Sequence, residues 1–357
     1  MLLCCCLFCW NNPFTFQSNN VFLPRNMLKK ILVVLYFIAL CILTNACTST
    51  SHNEPKIYTK DGAKLYQFKT GNSTFLVNAE EGCLLMKWNI LRADGSSRAI
   101  LHWDENKVRG DITNVLGGAP VFFPFCGISF ADGKANMWKT PRGEVCPIRK
   151  FGFIDNGKFE VVKATNNELI TRFIQTEETK KSYPFKYELT VHYKFYPKSY
   201  TVEIYLENKD NIALPWGPGH HPFFALPWNK GETHDDYRIW VDATHAWNID
   251  NVNGKLIDTF FEKNSSLDNP KVSGRLYTRL STPVAKIGPK HGKDDITLII
   301  NDGKADYRHC YVVNGIPNKT PYWALEPWAV PSLSAGKDAP VVHVGETGKF
   351  KVEVKLP

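Results

Sequence analysis

Two adjacent histidines are the residues of this sequence whose types and spacing best suit proton transfer. His220 and His221 lie within residues 216–226, which read W-G-P-G-H-H-P-F-F-A-L. Pro222 restricts the backbone of His221 to an extended conformation, so its imidazole is held on a stiff, non-helical segment. Histidine titrates near neutral pH and can donate or accept a proton. Taken alone, the stretch also fits a loop whose rings fill a gap and whose histidines are hydrogen-bonded or solvated.

Residues 322–328, Y-W-A-L-E-P-W, supply a second candidate group, the carboxylate of Glu326. Its neighbours in sequence, Trp323 and Trp328 among them, are apolar, and apolar surroundings make a carboxylate a better base. His221 and Glu326 are about a hundred residues apart, so only the fold could bring the two side chains together. The alternative is an exposed loop carboxylate beside a proline.

An imidazole and a carboxylate together suit chemistry at the anomeric carbon of a sugar. The C1 hydroxyl must lose a proton while the ring oxygen gains one. The ring then opens, C1 rotates, and closure from the other face reverses both transfers. These steps require neither a metal nor a cofactor, and we expect none. The rings of Trp216, Phe223 and Trp328 could stack on the apolar face of a pyranose.

Four short motifs resemble, in order and spacing, those of the aldose 1-epimerases (galactose mutarotases) and related hexose-phosphate epimerases. Residues 221–226, H-P-F-F-A-L, are similar to the family's His-Pro-Tyr-Phe-x-Leu motif, and residues 325–328, L-E-P-W, to its late Glu-Pro segment. Residues 117–124, G-G-A-P-V-F-F-P, resemble a Gly-Gly-x-Pro-x-x-Phe-Pro segment best known in the glucose-6-phosphate branch. Residues 151–153, F-G-F, stand where the family has His-Gly-Phe, so the resemblance covers about residues 60–356.

The resemblance implies both a fold and a set of roles. The fold would be all-β, a large antiparallel β super-sandwich of the galactose mutarotase type, with the sugar site on its concave face. His221 would be the acid toward the ring oxygen, and Glu326 the base at the C1 hydroxyl. We expect the sugar to be bound by six side chains: His220, Phe223, Trp216, Trp328, Phe125 and Arg149.

Two departures from the family bear on the substrate. Phe151 replaces the second histidine that hydrogen-bonds the sugar, and Cys126 stands where an arginine often follows the Phe-Pro segment. Arg142, Arg149 or Lys150 could replace that arginine, and His220 could supply the lost donor. The acid and base remain, but the identity of the sugar, and whether it is phosphorylated, stays open.

Period-two alternation of apolar and polar residues dominates the chain beyond residue 56. Residues 186–196 alternate strictly, residues 197–199 form a turn, and alternation resumes from Tyr200, which predicts a hairpin with one buried face and His192 on the polar face. Similar short strands recur without a sustained helical period. With 24 Gly and 22 Pro, this pattern predicts a sandwich of many strands. No linker or repeat divides residues 57–357, so we expect one domain there.

The start of the chain resembles an export signal. Residues 1–26 are interpreted as a misassigned leader, and residues 27–47 as a lipoprotein-type signal peptide with a basic start and an apolar run over residues 31–43. Residues 48–56 would form a polar tether. We expect lipidation at Cys47, so the protein would be exported and anchored to a membrane, on the periplasmic side or the cell surface. A plain secretory signal and an uncleaved anchor are the alternatives, because Thr44 occupies the usual leucine position.

Composition narrows the possible partners. The net charge of +8 is spread over 357 residues without a Lys/Arg run, which argues against nucleic-acid binding. The cysteines after Cys47 are widely spaced and show no zinc-binding pattern. The expected partners are a small-molecule sugar and, through the lipid anchor, a membrane, and we expect a monomer.

Three functions are compatible with these patterns. The first is an isomerase that interconverts the α and β anomers of a free hexose or related sugar, since export argues against a phosphorylated metabolite. The second is a non-catalytic carbohydrate-binding lipoprotein of the same fold. The third is another super-sandwich enzyme, such as a polysaccharide lyase or a glycoside hydrolase accessory domain. A hydrolase needs two carboxylates facing one bond, for which Asp132 and Asp242 are the candidate second acids.

Overall fold

The computed structural model describes residues 54–108, 112, 114–250, 252, 255–304, 306–331 and 339–357. All of them fall in one compact unit, Asn53–Pro357. The predicted leader and signal peptide, most of the tether and the expected lipidation site Cys47 lie outside the described residues.

Strands dominate this unit. A first antiparallel sheet contains five strands in sequence order, β1 (Lys56–Lys60), β2 (Ala63–Thr70), β3 (Ser73–Asn78), β4 (Leu84–Leu91) and β5 (Ser97–Ala99). Three small two-stranded sheets use β7 (Phe130–Ala131) with β8 (Lys134–Ala135), β9 (Met137–Lys139) with β10 (Val145–Pro147), and β15 (Leu214–Pro215) with β25 (Val341–Val342).

The remaining strands form one large antiparallel sheet of 15 strands. Its central path runs in the order β11 (Phe159–Ala164), β12 (Glu168–Phe173), β13 (Tyr187–Tyr196), β14 (Ser199–Asn208), β26 (Thr347–Lys355), β22 (Ile296–Ile300), β21 (Arg275–Pro289), β23 (Cys310–Asn314), β24 (Tyr322–Trp328), β16 (Gly219–His220) and β6 (Val121–Phe122). Off this path, β17 (Phe223–Ala225) pairs with β24, and β18 (Tyr237–Ile249) pairs with β21, β19 (Leu256–Asp258) and β20 (Asn264–Ser266). The predicted all-β class with large antiparallel sheets is confirmed.

Helices are few and short in the described residues. The α-helix α1 spans Glu177–Ser182 and begins at a capping box in which Thr176 and Thr179 bond each other's backbone amides. Three 3-10 turns occupy His234–Asp236, Pro270–Val272 and Asn301–Gly303. Within the described ranges we find no helix long and apolar enough to cross a membrane.

The hairpin expected around residues 197–199 is present as β13 and β14, joined in continuous register from Tyr187 opposite Asn208 to Tyr196 opposite Ser199. Burial alternates along β13, so one face packs in the core. His192 lies on the polar face, where its Nε2 is 2.8 Å from Glu168 Oε1 on β12. The strand alternation and the position of His192 on the polar face are confirmed.

Apolar side chains pack on both faces of β23 and β24. Tyr311, Val313, Trp323 and Leu325 belong to the main core, which continues into the first sheet. Their neighbours Cys310, Val312, Tyr322, Ala324 and Trp328 belong to a second, smaller cluster on the opposite face. Because side chains alternate along a strand, Glu326 shares the second face, which we call the site face.

Candidate active site

Strand β24 pairs with β16 and β17 in one antiparallel register. Gly219 lies opposite Trp328, and Phe223 lies opposite Ala324. Counting two residues inward from either pair places His221 directly opposite Glu326. The register therefore joins two residues that are distant in sequence.

His221 and Glu326 are in direct contact. His221 Nε2 is 2.9 Å from Glu326 Oε1, and the two side chains are 4% and 0% exposed. When Glu326 is ionised, the imidazole is the donor of this pair, because a carboxylate can only accept. The candidate acid and base thus meet at the site face, almost wholly shielded from water.

A third polar side chain, from β23, completes the arrangement. Asn314 Nδ2 donates to Glu326 Oε1 over 2.6 Å, so this oxygen accepts from two groups. Asn314 reaches it diagonally, since its own cross-strand partner is Ala324. Nothing in the local sequence marked Asn314, and only the register between β23 and β24 identifies it.

Three buried polar atoms near the pair have no hydrogen-bond partner within the described residues. They are His221 Nδ1, Glu326 Oε2 and Trp328 Nε1. Burying a polar atom without a partner costs about 1–3 kcal/mol. Unpartnered buried groups of this kind suit a site that binds a polar ligand.

Aromatic rings surround the His221 imidazole. Phe223 stacks on it with ring centroids 4.3 Å apart, and Phe122 and Phe151 meet it edge-on at 5.7 and 5.9 Å. Trp328 packs edge-on against Phe151 at 6.2 Å. We call Phe122, Phe151, Phe223 and Trp328 the aromatic shell. It fixes the plane of the imidazole and lowers the local dielectric constant, which strengthens electrostatic interactions within the pair.

Phe151 occupies an uncommon backbone conformation within this shell. Its φ is +68°, in the left-handed region that non-glycine residues seldom adopt. The turn is held by hydrogen bonds from Phe151 N to Gly127 O and from Phe153 N to Phe123 O. Gly152 is required beside it, because a Cβ there would lie 1.9 Å from Phe123 O. Such strained residues concentrate at functional sites.

Comparisons with known proteins agree with this architecture. The family model described as "Aldose 1-epimerase" matches residues 127–278. The plasmid-encoded protein LacX of Lactococcus lactis subsp. lactis is 25% identical over 232 residues, which is 61% of this chain and 75% of LacX.

Solved structures of mutarotase-like proteins have the same fold. The galactose mutarotase related enzyme of Lactobacillus acidophilus superposes with a TM-score of 0.66 at 18% identity, covering 82% of this chain and 97% of that one. The galactose mutarotase-like protein of Lactobacillus casei ATCC 334 gives 0.65 at 21% identity, covering 82% and 100%. The chain is thus similar to the aldose 1-epimerase family over residues 127–278 and shares the galactose mutarotase-like fold.

Phe223 and Trp328, two of the residues expected to bind the sugar, lie in the aromatic shell. Phe223 stacks on the imidazole itself, so that face of the phenyl ring supports His221 and is closed to a sugar. Trp328 contributes a buried indole N–H without a partner in the described part of the chain.

His220 does not have the role expected of it. Next to His221 on an extended chain, it points to the opposite face, where it is fully buried. Its Nδ1 donates to Pro120 O over 3.1 Å, and its Nε2 accepts from Tyr200 Oη at 2.8 Å. Burial lowers the pKa of His220 to about 3, so the ring stays neutral. Because both nitrogens are used within the protein, His220 cannot replace the donor lost at Phe151, and we correct that expectation.

Trp216 and Phe125 also belong elsewhere. Both are buried in the main core, where Trp216 packs over Gly348 and Phe125 packs edge-on against Trp138 with centroids 5.1 Å apart. Both residues are adjacent to the motifs in sequence, but neither side chain lies on the site face. We therefore correct the expectation that these two rings contact the sugar.

Arg149 lies in a surface groove of about 870 Å³ whose lining includes neither His221 nor Glu326. Its guanidinium pairs with the buried Asp155 and donates to Asn156 Oδ1 over 3.0 Å. Lys150, its neighbour, holds its ammonium 4.9 Å from the centre of the Phe151 ring. Of the basic residues considered as replacements, Lys150 rather than Arg149 is thus the one against the aromatic shell.

Proposed function

We propose that this protein is an aldose 1-epimerase-type isomerase that interconverts the anomers of a free hexose or related sugar. The observation that carries the proposal is the buried contact between His221 Nε2 and Glu326 Oε1 at 2.9 Å. It brings together a proton donor and a proton acceptor on one site of a fold shared with galactose mutarotase-like proteins.

The proposed reaction uses the pair as follows. The anomeric carbon bears both the ring oxygen and the hydroxyl, so one carbon presents an acceptor and a donor side by side. A sugar entering between the two groups would accept from the His221 imidazole at its ring oxygen and donate from its C1 hydroxyl to Glu326. Transfer of both protons opens the ring, and rotation of C1 followed by the reverse transfers yields the other anomer.

Asn314 has a defined part in this proposal. By occupying Glu326 Oε1, it leaves Oε2, which has no partner within the described residues, as the oxygen available to the sugar. The two hydrogen bonds to Oε1 also hold the carboxylate in one orientation.

Among the described residues weighed above as replacements, Lys150 alone lies against the aromatic shell, whereas a phosphate would be expected to require at least two basic side chains. We therefore favour a non-phosphorylated substrate. Asp242, considered above as a second acid for a hydrolase, pairs with Lys263 Nζ at 2.6 Å and accepts from Thr282 Oγ1 at 3.2 Å, and Asp132 lies on the exposed turn between β7 and β8. Neither position supports a hydrolase.

One observation favours a second candidate, a carbohydrate-binding protein without catalysis. His221 and Glu326 satisfy each other, and Phe151 closes on the imidazole at the position where the resemblance expects a histidine. A sugar must separate the pair before either group can act on it. If the pair stays closed, the fold could bind a sugar nearby without converting it.

Polarimetry on freshly dissolved α-glucose and α-galactose distinguishes the two. The isomerase should accelerate the approach to the equilibrium rotation in proportion to protein concentration. If a panel of aldoses binds in calorimetry but reaches anomeric equilibrium no faster than in buffer alone, the isomerase proposal is overturned and the carbohydrate-binding function is supported.

The cellular location belongs to this proposal too. We propose, from the sequence of residues 27–47, that the domain is exported and anchored through a lipid on Cys47. Metabolic labelling with a palmitate analogue, comparing the full chain with its Cys47→Ala variant, tests it: loss of label in the variant is expected, and equal labelling contradicts lipidation there.

A further inference from the structure

His102 is a histidine of the site face that the sequence did not single out. Its backbone N–H donates to Phe223 O over 2.8 Å, and its carbonyl accepts from Gly118 N over 2.7 Å. The adjacent Leu101 forms an antiparallel bridge with Phe224. Residues directly opposite in an antiparallel pair point to the same face, so His102 shares the face of Phe223.

A continuous series of ring contacts leads from His221 to His102. Phe223 stacks on His221 at 4.3 Å, Tyr322 meets Phe223 edge-on at 4.9 Å, and the His102 ring lies 5.4 Å from Tyr322. His102 is one strand beyond Phe223, which is two residues from His221, so the two Cα atoms are about 8 Å apart on strand geometry. One pyranose with its hydroxyls can bridge such a span.

The imidazole of His102 is available for hydrogen bonds. Within the described residues, neither of its ring nitrogens has a hydrogen-bond partner, and the side chain is only half-buried. Burial lowers its pKa below the ordinary histidine value, so the ring is neutral at pH 7 and offers one donor and one acceptor. That combination matches a sugar hydroxyl, which also donates and accepts.

The other side chains considered as hydrogen-bond partners of the sugar cannot make this contact. Phe151 has no polar atom, both nitrogens of His220 are bonded internally, and Arg149 lines a separate groove. The aromatic shell gives the sugar apolar contact, but a pocket with few polar groups needs each of them for orientation.

We propose that His102, supported by Tyr322, binds a hydroxyl of the sugar remote from C1 and thereby sets which sugars are accepted. This proposal rests on the proposed anomerase function. It makes His102 a specificity residue that touches substrate but takes no part in proton transfer. The hydrogen bond between His102 and the sugar should therefore be equally strong in the bound substrate and in the transition state. Such uniform binding affects KM and not kcat.

The experiment compares His102→Ala with the wild-type full chain in the anomer-exchange assay. We expect KM to rise roughly two- to tenfold with kcat little changed, because one neutral hydrogen bond is lost. His102→Gln, which keeps a donor and an acceptor, should recover part of the loss. His291→Ala removes a histidine that is 53% exposed on another turn and should match the wild type.

Deoxy sugars then locate the contacted hydroxyl. Among the 2-, 3-, 4- and 6-deoxy analogues of the best substrate, one should give the same KM with wild type and with His102→Ala, because the contact is already missing. If His102→Ala binds every sugar as the wild type does while exchange proceeds, the His102 proposal is overturned and the anomerase stands. If the wild type neither binds nor exchanges any aldose, both are overturned.

Discussion

Asn314 Nδ2 lies 2.6 Å from Glu326 Oε1, the same oxygen that meets His221 Nε2 at 2.9 Å. The candidate base is thus held at one oxygen by two donors, one from β23 and one from the segment between β16 and β17, while its second oxygen has no partner in the described part of the chain. This arrangement makes the strand register between β23 and β24 part of the site.

Replacing Asn314 with alanine should weaken the base without removing it. A hydrogen bond to a charged group is worth about 1.5–3 kcal/mol, so we expect kcat to fall roughly ten- to a hundredfold with a smaller change in KM. Polarimetric rates over a range of sugar concentrations measure both parameters.

Asn248→Ala is a matched control for this experiment. Asn248 is exposed on β18, and its side chain contacts Thr259 Oγ1 at 3.4 Å. A wild-type kcat in folded Asn314→Ala would mean that Asn314 is structural only.

Phe151→His tests whether the phenyl ring of Phe151 in the aromatic shell limits the reaction. A histidine there would restore a polar group beside His221, and histidine tolerates a left-handed backbone better than phenylalanine does. One added hydrogen bond of about 0.5–1.5 kcal/mol predicts a gain of roughly two- to tenfold in kcat/KM for a hexose. Phe151→Leu, which adds no polar atom, is the control. A gain of the same size in Phe151→Leu would show that relief of packing, and not the new donor, is responsible.

Stability should fall in mild acid because of His220. Its folded pKa is lowered to about 3 by burial, against about 6.5 in the unfolded chain, so the unfolded state binds more protons between these values. Stability is therefore lost as pH falls below about 6.5, at up to about 1.4 kcal/mol per pH unit, or about 2 kcal/mol by pH 5.

Denaturant unfolding of wild type and His220→Gln at pH 6.5 and pH 5 measures this contribution of His220 to the free energy of unfolding. Glutamine does not titrate, so the variant should lose about 2 kcal/mol less than the wild type over the same interval. The comparison of pH dependences cancels the contributions of other buried histidines, such as His234 and His309, whose pKa values burial also lowers. Identical pH dependence in both proteins would show that His220 is not held neutral in the fold.

Alternation along the strands accounts for what could be predicted from the sequence. The β13–β14 hairpin, the position of His192 and the all-β class all follow from a period of two. The same rule separates His220 from His221, since neighbours on an extended chain point to opposite faces. Our expectation that both bind the sugar treated them as one motif and did not apply the rule.

Pairing between distant strands could not be predicted in the same way. The contact between His221 and Glu326 depends on one register shared by β16, β17 and β24, and Asn314 depends on the register of β23. Trp216 and Phe125 are close to the motifs in sequence but face the main core. His102 joins the site through a single bridge at Leu101, beyond the end of β5 at Ala99.

The most direct test of the account is NMR exchange spectroscopy between the α and β anomers of glucose and galactose with wild type, Glu326→Gln and Glu353→Gln. Glu353 lies on β26, which three strands separate from β24 in the sheet, and serves as the matched carboxylate control. We predict faster exchange with wild type and Glu353→Gln, and a loss of about 10²- to 10⁴-fold in Glu326→Gln with the fold retained by circular dichroism. Exchange at the wild-type rate in folded Glu326→Gln would contradict the proposed pair.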